Sequence, residues 1–222
     1  MVTATPAATS ASTSALPSLA DQVARLVDLD LHHRAGLSAS RLRTLATTAS
    51  ARPGLLVVHP SLLPASHLAP LIRHAGKPGF VVTDMTDVDE FEAVDPLPDS
   101  PVYVVTDVDR GDGYANWSPD EVDPDLRAAG RTPLTLAEGL AWLLQQPDAL
   151  ERNRCFMTIG SRKRKPGGAL DTRTPAIWIS NGTGRDGVAN RNAPKVGWCW
   201  AGNRHTWLGF ASASGRHPIA AS

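Results

Sequence analysis

The stretch PLTLAEGLAWLLQQP, residues 133–147, carries the clearest helical pattern in the chain. Thr135 and Glu138 have the spacing of a capping box, in which each side chain bonds the backbone N–H of the other residue. Pro147 cannot continue a helix because its ring removes the N–H donor. The apolar face carries four leucines: Leu136, Leu140, Leu143 and Leu144. The stretch therefore predicts a helix from Leu134 to Leu144 whose apolar face is buried against other elements.

The chain before this helix predicts two further helices and three strands. Ser18 is a candidate N-cap for a helical pattern that extends to Arg34, and a second pattern covers Ser38–Thr48. Three short apolar runs between helix breakers are typical of buried strands: Leu55–Val58, Phe80–Val82 and Val102–Val105. A helix-like segment around Leu68 separates the first two runs. This order predicts a small, partly parallel sheet.

The chain after Pro147 changes to short β-rich runs separated by Gly, Asn, Pro and basic residues. The runs cover residues 155–159, 176–179, 196–201 and 206–211, and their spacing is typical of an antiparallel meander. The predicted fold class is α/β or α+β, with a small mixed sheet, N-terminal helices and a C-terminal antiparallel meander rich in tryptophan. We expect one globular domain at residues 17–216, a disordered Ala/Ser/Thr/Pro tail at residues 1–16 and a second tail at residues 217–222.

The composition excludes several classes of protein. Hydrophobic residues make up 42% of the chain and charged residues 20%, as in globular proteins, and no apolar run approaches the roughly 18–20 residues of a membrane-spanning helix. The first sixteen residues lack the basic and apolar regions of a secretory signal. Two cysteines, Cys155 and Cys199, are too few for a disulfide framework. We therefore expect a cytoplasmic protein with free thiols that does not bind membranes.

The net charge is zero, but the charges are segregated along the chain. Residues 84–125 contain fourteen acidic residues and one basic residue, Arg110, whereas residues 160–205 contain nine basic and two acidic residues. A neutral chain needs no external partner to balance such stretches. We expect the two stretches to face each other in the fold or to be solvated.

The first candidate site follows the predicted strand Val102–Val105. Asp107 and Asp109 are candidate catalytic residues and Arg110 a candidate ligand-binding residue, because carboxylates just beyond a strand are placed to hold a divalent cation or to act as acid and base. The Asp-x-Asp spacing is similar to the first motif of haloacid-dehalogenase-type phosphotransferases, but the partner motifs are missing. A tight turn built by Asp and Gly explains the same residues.

The second candidate site is an aromatic segment near the C-terminus. Its predicted ligand-binding residues are Trp178, Trp198, Trp200, Asn203 and Trp207. In a strand, Trp198 and Trp200 share one face and Cys199 points to the other. His205 is a candidate catalytic residue, acting on a ligand beside the indole rings or paired with a Cys199 thiolate. Tryptophans that belong to the core are the structural alternative.

The third candidate site is the basic run Arg162–Lys165, in which Arg162 is a candidate ligand-binding residue. Clustered basic side chains contact the phosphates of nucleotides or nucleic acids, although a solvated hairpin loop has the same composition. The chain contains no phosphate-binding loop, dinucleotide fingerprint, serine elbow or paired-histidine zinc motif. The sequence therefore predicts no metal site and leaves the cofactor unknown.

Several strings together resemble a known family: VTDVDRG from Val105, GRTPLTLAEG from Gly130, NRCF from Asn153, PAIWIS from Pro175 and PKVGWCWAGNRHTWLG from Pro194. They are similar to an actinobacterial family known as domain of unknown function 5701, over about residues 19–216. The resemblance implies that the candidate residues above, together with Glu138 and Cys155, belong to the family pattern. Residues 163–168 and 182–192 depart from that pattern as loop extensions.

The functional hypothesis is a small-molecule-binding protein or enzyme of actinobacterial, including specialised, metabolism. Its pocket is expected between the Asp107/Asp109 turn and the Trp198–His205 segment. The alternative is a module that binds nucleic acid or an acidic protein through Arg162–Lys165. The sequence leaves open whether the protein is an enzyme.

Overall fold

The computed structural model describes residues 15–219. The tail predicted at residues 1–16 lies outside the described residues up to position 14, as do the last three residues of the tail predicted at 217–222. The described part of the chain forms six α-helices: α1 Leu19–Asp28, α2 Leu31–Arg34, α3 Ala39–Thr48, α4 Ala65–Leu68, α5 Pro119–Ala128 and α6 Leu136–Gln145. None of these helices is long and apolar enough to cross a lipid bilayer.

Fourteen short strands accompany the helices between residues 15 and 219. They are β1 Leu55–Val58, β2 Arg73–His74, β3 Lys77–Pro78, β4 Phe80–Val81, β5 Glu92–Ala93, β6 Val102–Thr106, β7 Thr132–Pro133, β8 Cys155–Met157, β9 Ser161–Arg162, β10 Arg173–Ile179, β11 Pro194–Trp200, β12 Leu208–Phe210, β13 Ser212–Ala213 and β14 Gly215–Pro218. One sheet has the order β1-β6-β14 and a larger one the order β12-β8-β10-β11-β4. The remaining strands form three two-stranded sheets. The architecture is α+β.

Helix α6 lies at the centre of the fold, in contact with β1 of the first sheet, β10 of the second sheet and α4. All ten of its residues are buried, so more than the predicted leucine face is enclosed. Gly139 explains the close approach to the larger sheet, because a Cβ at this position would lie 2.6 Å from Thr158 Cγ2 and 3.2 Å from the Phe156 ring. The predicted capping box is present, with Thr135 as N-cap and Glu138 at the third helical position.

The mixed sheet is confirmed in the larger sheet, where β4 and β12 pair parallel with β11 and β8, but the three strands predicted before α6 do not form it together. Strand β1 pairs antiparallel with β6 and β6 pairs antiparallel with β14, whereas β4 joins the other sheet beside β11. Parallel neighbours need a crossover of a dozen or more residues, usually a helix. The helix after β1 has only four residues, Ala65–Leu68, and does not build such a crossover.

The C-terminal meander is confirmed for three strands, since β8 pairs antiparallel with β10 and β10 with β11. The fourth run departs from it, because β12 crosses to the far edge of the sheet and pairs parallel with β8. Strand β14 continues beyond Arg216. His217 and Pro218 pair with Val104 and Tyr103 in the first sheet, and Ile219 is buried.

The predicted N-terminal helix is interrupted. Its N-cap is confirmed, since the Ser18 side chain accepts a hydrogen bond from the Asp21 N–H. Helix α1 ends at Asp28, and Asp30 takes a left-handed conformation with φ of 57° before α2 begins at Leu31. A left-handed residue cannot continue an α-helix, so the pattern that extends to Arg34 forms two helices.

Candidate functional site

The turn after β6 is held by side chains of its own and by Arg131. Asp107 has φ of 52°, and Arg131 clamps it by donating to the Asp107 carboxylate at 2.7 Å and to its carbonyl oxygen at 2.7 Å. Asp109 accepts from the Gly111 N–H at 2.7 Å. These contacts favour the interpretation of Asp107 and Asp109 as turn residues.

Arg110 is buried and binds the neighbouring Asp112 carboxylate with two nitrogens, at 2.7 and 2.8 Å. A third nitrogen donates to the Ala149 carbonyl oxygen at 3.0 Å. Hydrogen bonds from Arg110 and Arg154 to Asp112 outweigh burial and lower the pKa of that carboxyl. The guanidinium is thus engaged within the protein, which supports a structural role for Arg110.

The loop after this turn contacts the aromatic C-terminal segment, as the sequence hypothesis requires. Asn116 donates its N–H to the His205 carbonyl oxygen at 2.7 Å, and Asp120 donates to the Ala201 carbonyl oxygen at 3.1 Å. Arg204 forms an ion pair with Glu121. The structure therefore brings the two segments together through backbone hydrogen bonds, while the Asp107 side chain contacts Arg131.

The tryptophans form two groups on the larger sheet. Trp198 and Trp200 are in contact, with ring centroids 4.6 Å apart, as expected for residues on one face. Arg173 lies over the Trp198 ring at 5.9 Å. In the other group the Trp178 ring lies against Gly197, where a Cβ would be 2.5 Å from the indole, and its centroid is 6.4 Å from that of Trp207.

Only part of this aromatic segment is accessible to a ligand. Trp200 is 46% exposed, whereas Trp178, Trp198 and Trp207 are half-buried. Asn203 is exposed, and its backbone N–H donates to the Trp200 carbonyl oxygen at 3.0 Å in a turn. The segment thus combines a wall of packed indoles with one exposed ring.

The sulfur and imidazole chemistry of this segment does not favour a nucleophile. Burial raises the pKa of the Cys199 thiol to about 11, so the reactive thiolate is scarce at neutral pH. Burial also lowers the pKa of His205, whose Nε2 is buried and has no hydrogen-bond partner in the described chain. His205 packs on Trp207 with ring centroids 5.4 Å apart. Cys155 is buried, and desolvation raises the pKa of its thiol to about 11.

The acidic and basic stretches face each other, which confirms one of the two expectations for them. Asp87 binds Arg173 at 2.6 Å and Lys163 at 2.7 Å, and Lys163 also binds Glu90 at 2.9 Å. Arg185 binds Asp84 at 2.8 Å. The hydrogen bond from Arg173, followed by that from Lys163, holds the pKa of Asp87 well below its usual range.

The basic run offers less free charge than its sequence suggests. Lys163 is neutralised by two acids, and Arg162 donates to the Asp171 carbonyl oxygen at 2.7 Å. Arg164 and Lys165 are exposed. Two exposed cations supply little counterion release, so the hypothesis of nucleic-acid binding loses most of its basis.

A cavity of about 610 Å³ lies at the start of α6. Its walls come from four separate parts of the chain: residues 59–65, residues 88–97, residues 135–137 and Ser161. Much of the lining is apolar and includes Pro64, Val88, Phe91, Leu97 and Leu136. Ligand pockets commonly have volumes of about 300–1,000 Å³ and mainly apolar walls with a few polar groups. This cavity is therefore the candidate functional site.

The charged residues that line this cavity are all acidic among the described residues: Asp89, Glu92 and Asp95. Asp89 accepts hydrogen bonds from the Ser66 N–H and hydroxyl at 2.9 and 2.6 Å. Asp95 binds Arg127 at 3.1 Å. His59 Nδ1 accepts from the Ser61 N–H at 3.2 Å, so the neutral ring carries its proton on Nε2.

The start of α6 is poorly suited to bind an anion in this cavity, because side chains of Glu138, Ser161 and Thr135 occupy three of its backbone donors. The Thr135 N–H donates to Glu138 at 2.7 Å, the Leu136 N–H donates to Ser161 Oγ at 2.9 Å and the Glu138 N–H donates to Thr135 Oγ1 at 3.2 Å. Negative charge from Glu138 already compensates the positive end of the helix dipole. The charged groups at the rim of the cavity are therefore its carboxylates, of which Asp95 is paired with Arg127.

A larger cavity of about 980 Å³ lies between α1, α3 and Trp142, and Asp107 is among its lining residues. His205 is not among them. Its rim includes Ala15, the first described residue, whereas the 610 Å³ cavity is lined throughout by residues between 59 and 161. The smaller cavity is thus the better defined of the two.

Sequence reasoning missed the cavity residues because no motif joins them. They come together only when the 88–97 segment packs beside α4 and α6. The one pattern that pointed to them was the run of acids from Asp84. That run indicated the acidic residues of the rim, but it did not indicate the apolar wall beneath them.

Comparison with known protein families identifies a match over most of the chain. The model of a family described as a family of unknown function (DUF5701) matches residues 25–219. No curated protein and no solved structure matches the chain. The match covers all five sheets of the described chain, α6 and all the residues that line the 610 Å³ cavity.

Proposed function

The chain belongs to this family of unknown function, and we propose from its geometry that it binds a small organic cation in the 610 Å³ cavity at the start of α6. The observation that carries the proposal is the combination of an apolar wall with a rim whose charged groups are Asp89, Glu92 and Asp95. The apolar wall favours a ligand with an apolar body, and the carboxylates favour a ligand with a cationic group.

The volume and lining suit a ligand of metabolite size. The cavity volume of about 610 Å³ is in the middle of the usual range for small-molecule sites. Phe91 offers an aromatic ring, and the Arg173 guanidinium lies 5.3 Å from the centroid of that ring. The ring is thereby fixed in place, which reduces the entropy that ligand binding must offset.

We propose binding rather than catalysis as the role of this cavity. Ser161 Oγ accepts the Leu136 N–H and so serves as a cap of the helix. His59 Nδ1 is bonded within its own turn, where its contact with Ser61 Oγ measures 2.7 Å. Among the described residues no third side chain hydrogen-bonds the His59 ring, so the His59–Ser61 pair lacks the orienting group of a nucleophilic site.

The proposed setting is the cytoplasm of an actinobacterium. Two observations support it. The sequence resembles an actinobacterial family, and Cys155 and Cys199 are free thiols, as is usual in reducing compartments, where disulfides are rare.

A second proposal keeps the site inferred from the sequence, between the Asp107/Asp109 turn and the Trp198–His205 segment. The observation that favours it is the buried, unpartnered Nε2 of His205 beside Trp207. A ligand that stabilises the protein through this site loses its effect in His205→Ala but not in Glu92→Gln.

The test of the cavity is a thermal-shift comparison of three matched probes. Tryptamine, tryptophol and indole-3-acetate share an indole and differ in charge, and each is added at the same excess. A ligand at about 100 times its Kd stabilises by about 2.7 kcal/mol, which raises the Tm of a chain of this length by about 5–10 °C. We expect tryptamine to give the largest shift and indole-3-acetate the smallest.

Two variants connect the shift to the cavity. Glu92→Gln removes one rim charge and is expected to lower the affinity for tryptamine about fivefold. Asp148→Asn removes an exposed charge away from the cavity and serves as its control. Ala93→Trp fills the cavity and is expected to abolish the shift, with exposed Ala189→Trp as control. Equal shifts for the three probes, or an unchanged shift in Ala93→Trp, would exclude the cavity as a cation site.

A further inference from the structure

We propose that Asp30, His32 and His33 form a binding site for a divalent transition-metal ion. The ligating atoms of the three side chains all lie within 4.8 Å of one another. Asp30 lies in the link between α1 and α2, His32 and His33 lie in α2, and all three are remote in sequence from the proposed cation site. The metal site is independent of that proposed function.

The local backbone creates this cluster. Helix α1 ends at Asp28, and Asp30 takes the left-handed conformation as the residue that precedes α2. This reversal brings the Asp30 carboxylate to 2.6 Å from His33 Nδ1. The His32 and His33 rings form a tilted stack, with centroids 4.0 Å apart and an angle of 32° between the ring planes. Three residues within one turn of chain thus present a carboxylate and two imidazoles together.

His32 supplies the independent observation that points to a ligand. Its side chain is 6% exposed, and its Nδ1 is buried without a hydrogen-bond partner in the described chain. A buried imidazole nitrogen that makes no bond costs free energy. His32 therefore has a ring that the protein itself leaves unsatisfied, beside two other metal-ligating groups.

The donor set selects the class of metal. Two imidazoles and one carboxylate suit Zn²⁺ and its neighbours Cu²⁺ and Ni²⁺, whereas Mg²⁺ and Ca²⁺ prefer oxygen ligands only. Ligand atoms about 2.0–2.1 Å from a tetrahedral Zn²⁺ lie about 3.3 Å apart. The side chains of Asp30 and His33 are 63% and 71% exposed, so they are free to rotate. A small rotation would bring their ligating atoms from within 4.8 Å of one another to the spacing that Zn²⁺ requires.

The exposed side of the site leaves a position for water or for a ligand from outside. Three protein ligands with an open fourth position are the arrangement of accessible zinc sites. Because imidazole binds metal only when neutral, the affinity falls in acid. The hydrogen bond between Asp30 and His33 gives way to shared coordination of the ion.

The experiment is a calorimetric titration of the full, tag-free chain with Zn²⁺, and with Mg²⁺ as the comparison ion. We expect about one equivalent of Zn²⁺ at this site and no measurable Mg²⁺ binding. His33→Ala and Asp30→Asn are each expected to lower the affinity for Zn²⁺ at least tenfold. Both positions are exposed, and Asn retains the left-handed conformation that Asp30 adopts, so both variants keep the fold.

The matched control is His67→Ala, because His67 is exposed on α4 and lies outside the cluster. His67→Ala is expected to bind Zn²⁺ as the parent chain does. Failure of the parent chain to bind Zn²⁺ overturns the proposal. Zn²⁺ binding that survives in both His33→Ala and Asp30→Asn, or that is lost in His67→Ala, overturns it equally.

Discussion

Glu138 shows at the residue scale how a local pattern acquires a long-range role. The carboxylate is fully buried and accepts from Arg216 Nε at 2.6 Å, Arg216 Nη2 at 2.8 Å, the Tyr103 hydroxyl at 3.1 Å and the Thr135 N–H at 2.7 Å. Burial and then the negative charge of Glu138 raise the pKa of Tyr103, so its hydroxyl stays a donor. One carboxylate therefore ties α6 to β6 and β14.

Glu138→Leu is expected to lower the free energy of unfolding by about 3–5 kcal/mol, because it leaves the Arg216 guanidinium buried without its partner. The double variant Glu138→Leu/Arg216→Met is expected to recover part of this loss, since no charge then remains unpaired. Urea unfolding of the parent chain, Glu138→Leu, Arg216→Met and the double variant measures both effects. A double variant as unstable as the sum of its single changes would contradict the ion-pair explanation.

At the element scale, the sequence predicted elements better than their partners. Helix α6 and strands β1, β6, β10 and β11 were all predicted from patterns within a few residues: a capping box, apolar runs and flanking Pro or Gly. The pairing of β1 with β6 depends on Leu55 meeting Val105, fifty positions away, and no local pattern reports such a contact. The burial of the polar side of α6 likewise depends on contacts with residues that are distant in the sequence.

Gly139 tests the close packing of α6 on the larger sheet. Gly139→Ala is expected to destabilise by about 1–3 kcal/mol, because the new Cβ would lie 2.6 Å from Thr158 Cγ2 and overpacking outweighs the gain of about 1 kcal/mol in helix propensity. Gly113→Ala is the control, since a Cβ there has nothing within 4 Å. Thermal unfolding of both variants decides the point, and a stabilised Gly139→Ala would show that the helix has room to move.

At the scale of the whole molecule, charge segregation along the chain becomes charge pairing in space. Segregation was visible in the sequence, and one of its two expected outcomes is confirmed by the pairs of Asp84, Asp87 and Glu90 with Arg185, Arg173 and Lys163. The candidate sites were harder to predict. Arg110 and Arg162 carry charges that attract a functional interpretation, yet Arg110 is bonded to Asp112 and one Arg162 nitrogen is bonded to the Asp171 carbonyl oxygen, and the cavity residues share no motif.

Asp87 gives this pairing a measurable pH dependence. Arg173 and then Lys163 hold the pKa of Asp87 below its ordinary value, so the folded state binds the proton less tightly than the unfolded state. The stabilisation is fully present above the unfolded-state pKa of about 3.9 and is lost as the pH falls from there towards the lower pKa of the folded protein. In Asp87→Asn that contribution is absent at every pH.

We therefore expect Asp87→Asn to reduce the free energy of unfolding by about 2 kcal/mol at pH 7 and to differ less and less from the parent chain below about pH 4. Arg173 and Lys163 keep Asp171 and Glu90 as partners, so the loss stays moderate and the variant folds. Urea unfolding from pH 3 to pH 7 measures the difference, with the exposed Asp99→Asn as control. A difference between Asp87→Asn and the parent that is constant across this range would mean that Asp87 stabilises the fold through its shape and hydrogen bonds, because only a carboxylate whose pKa changes on folding makes the difference depend on pH.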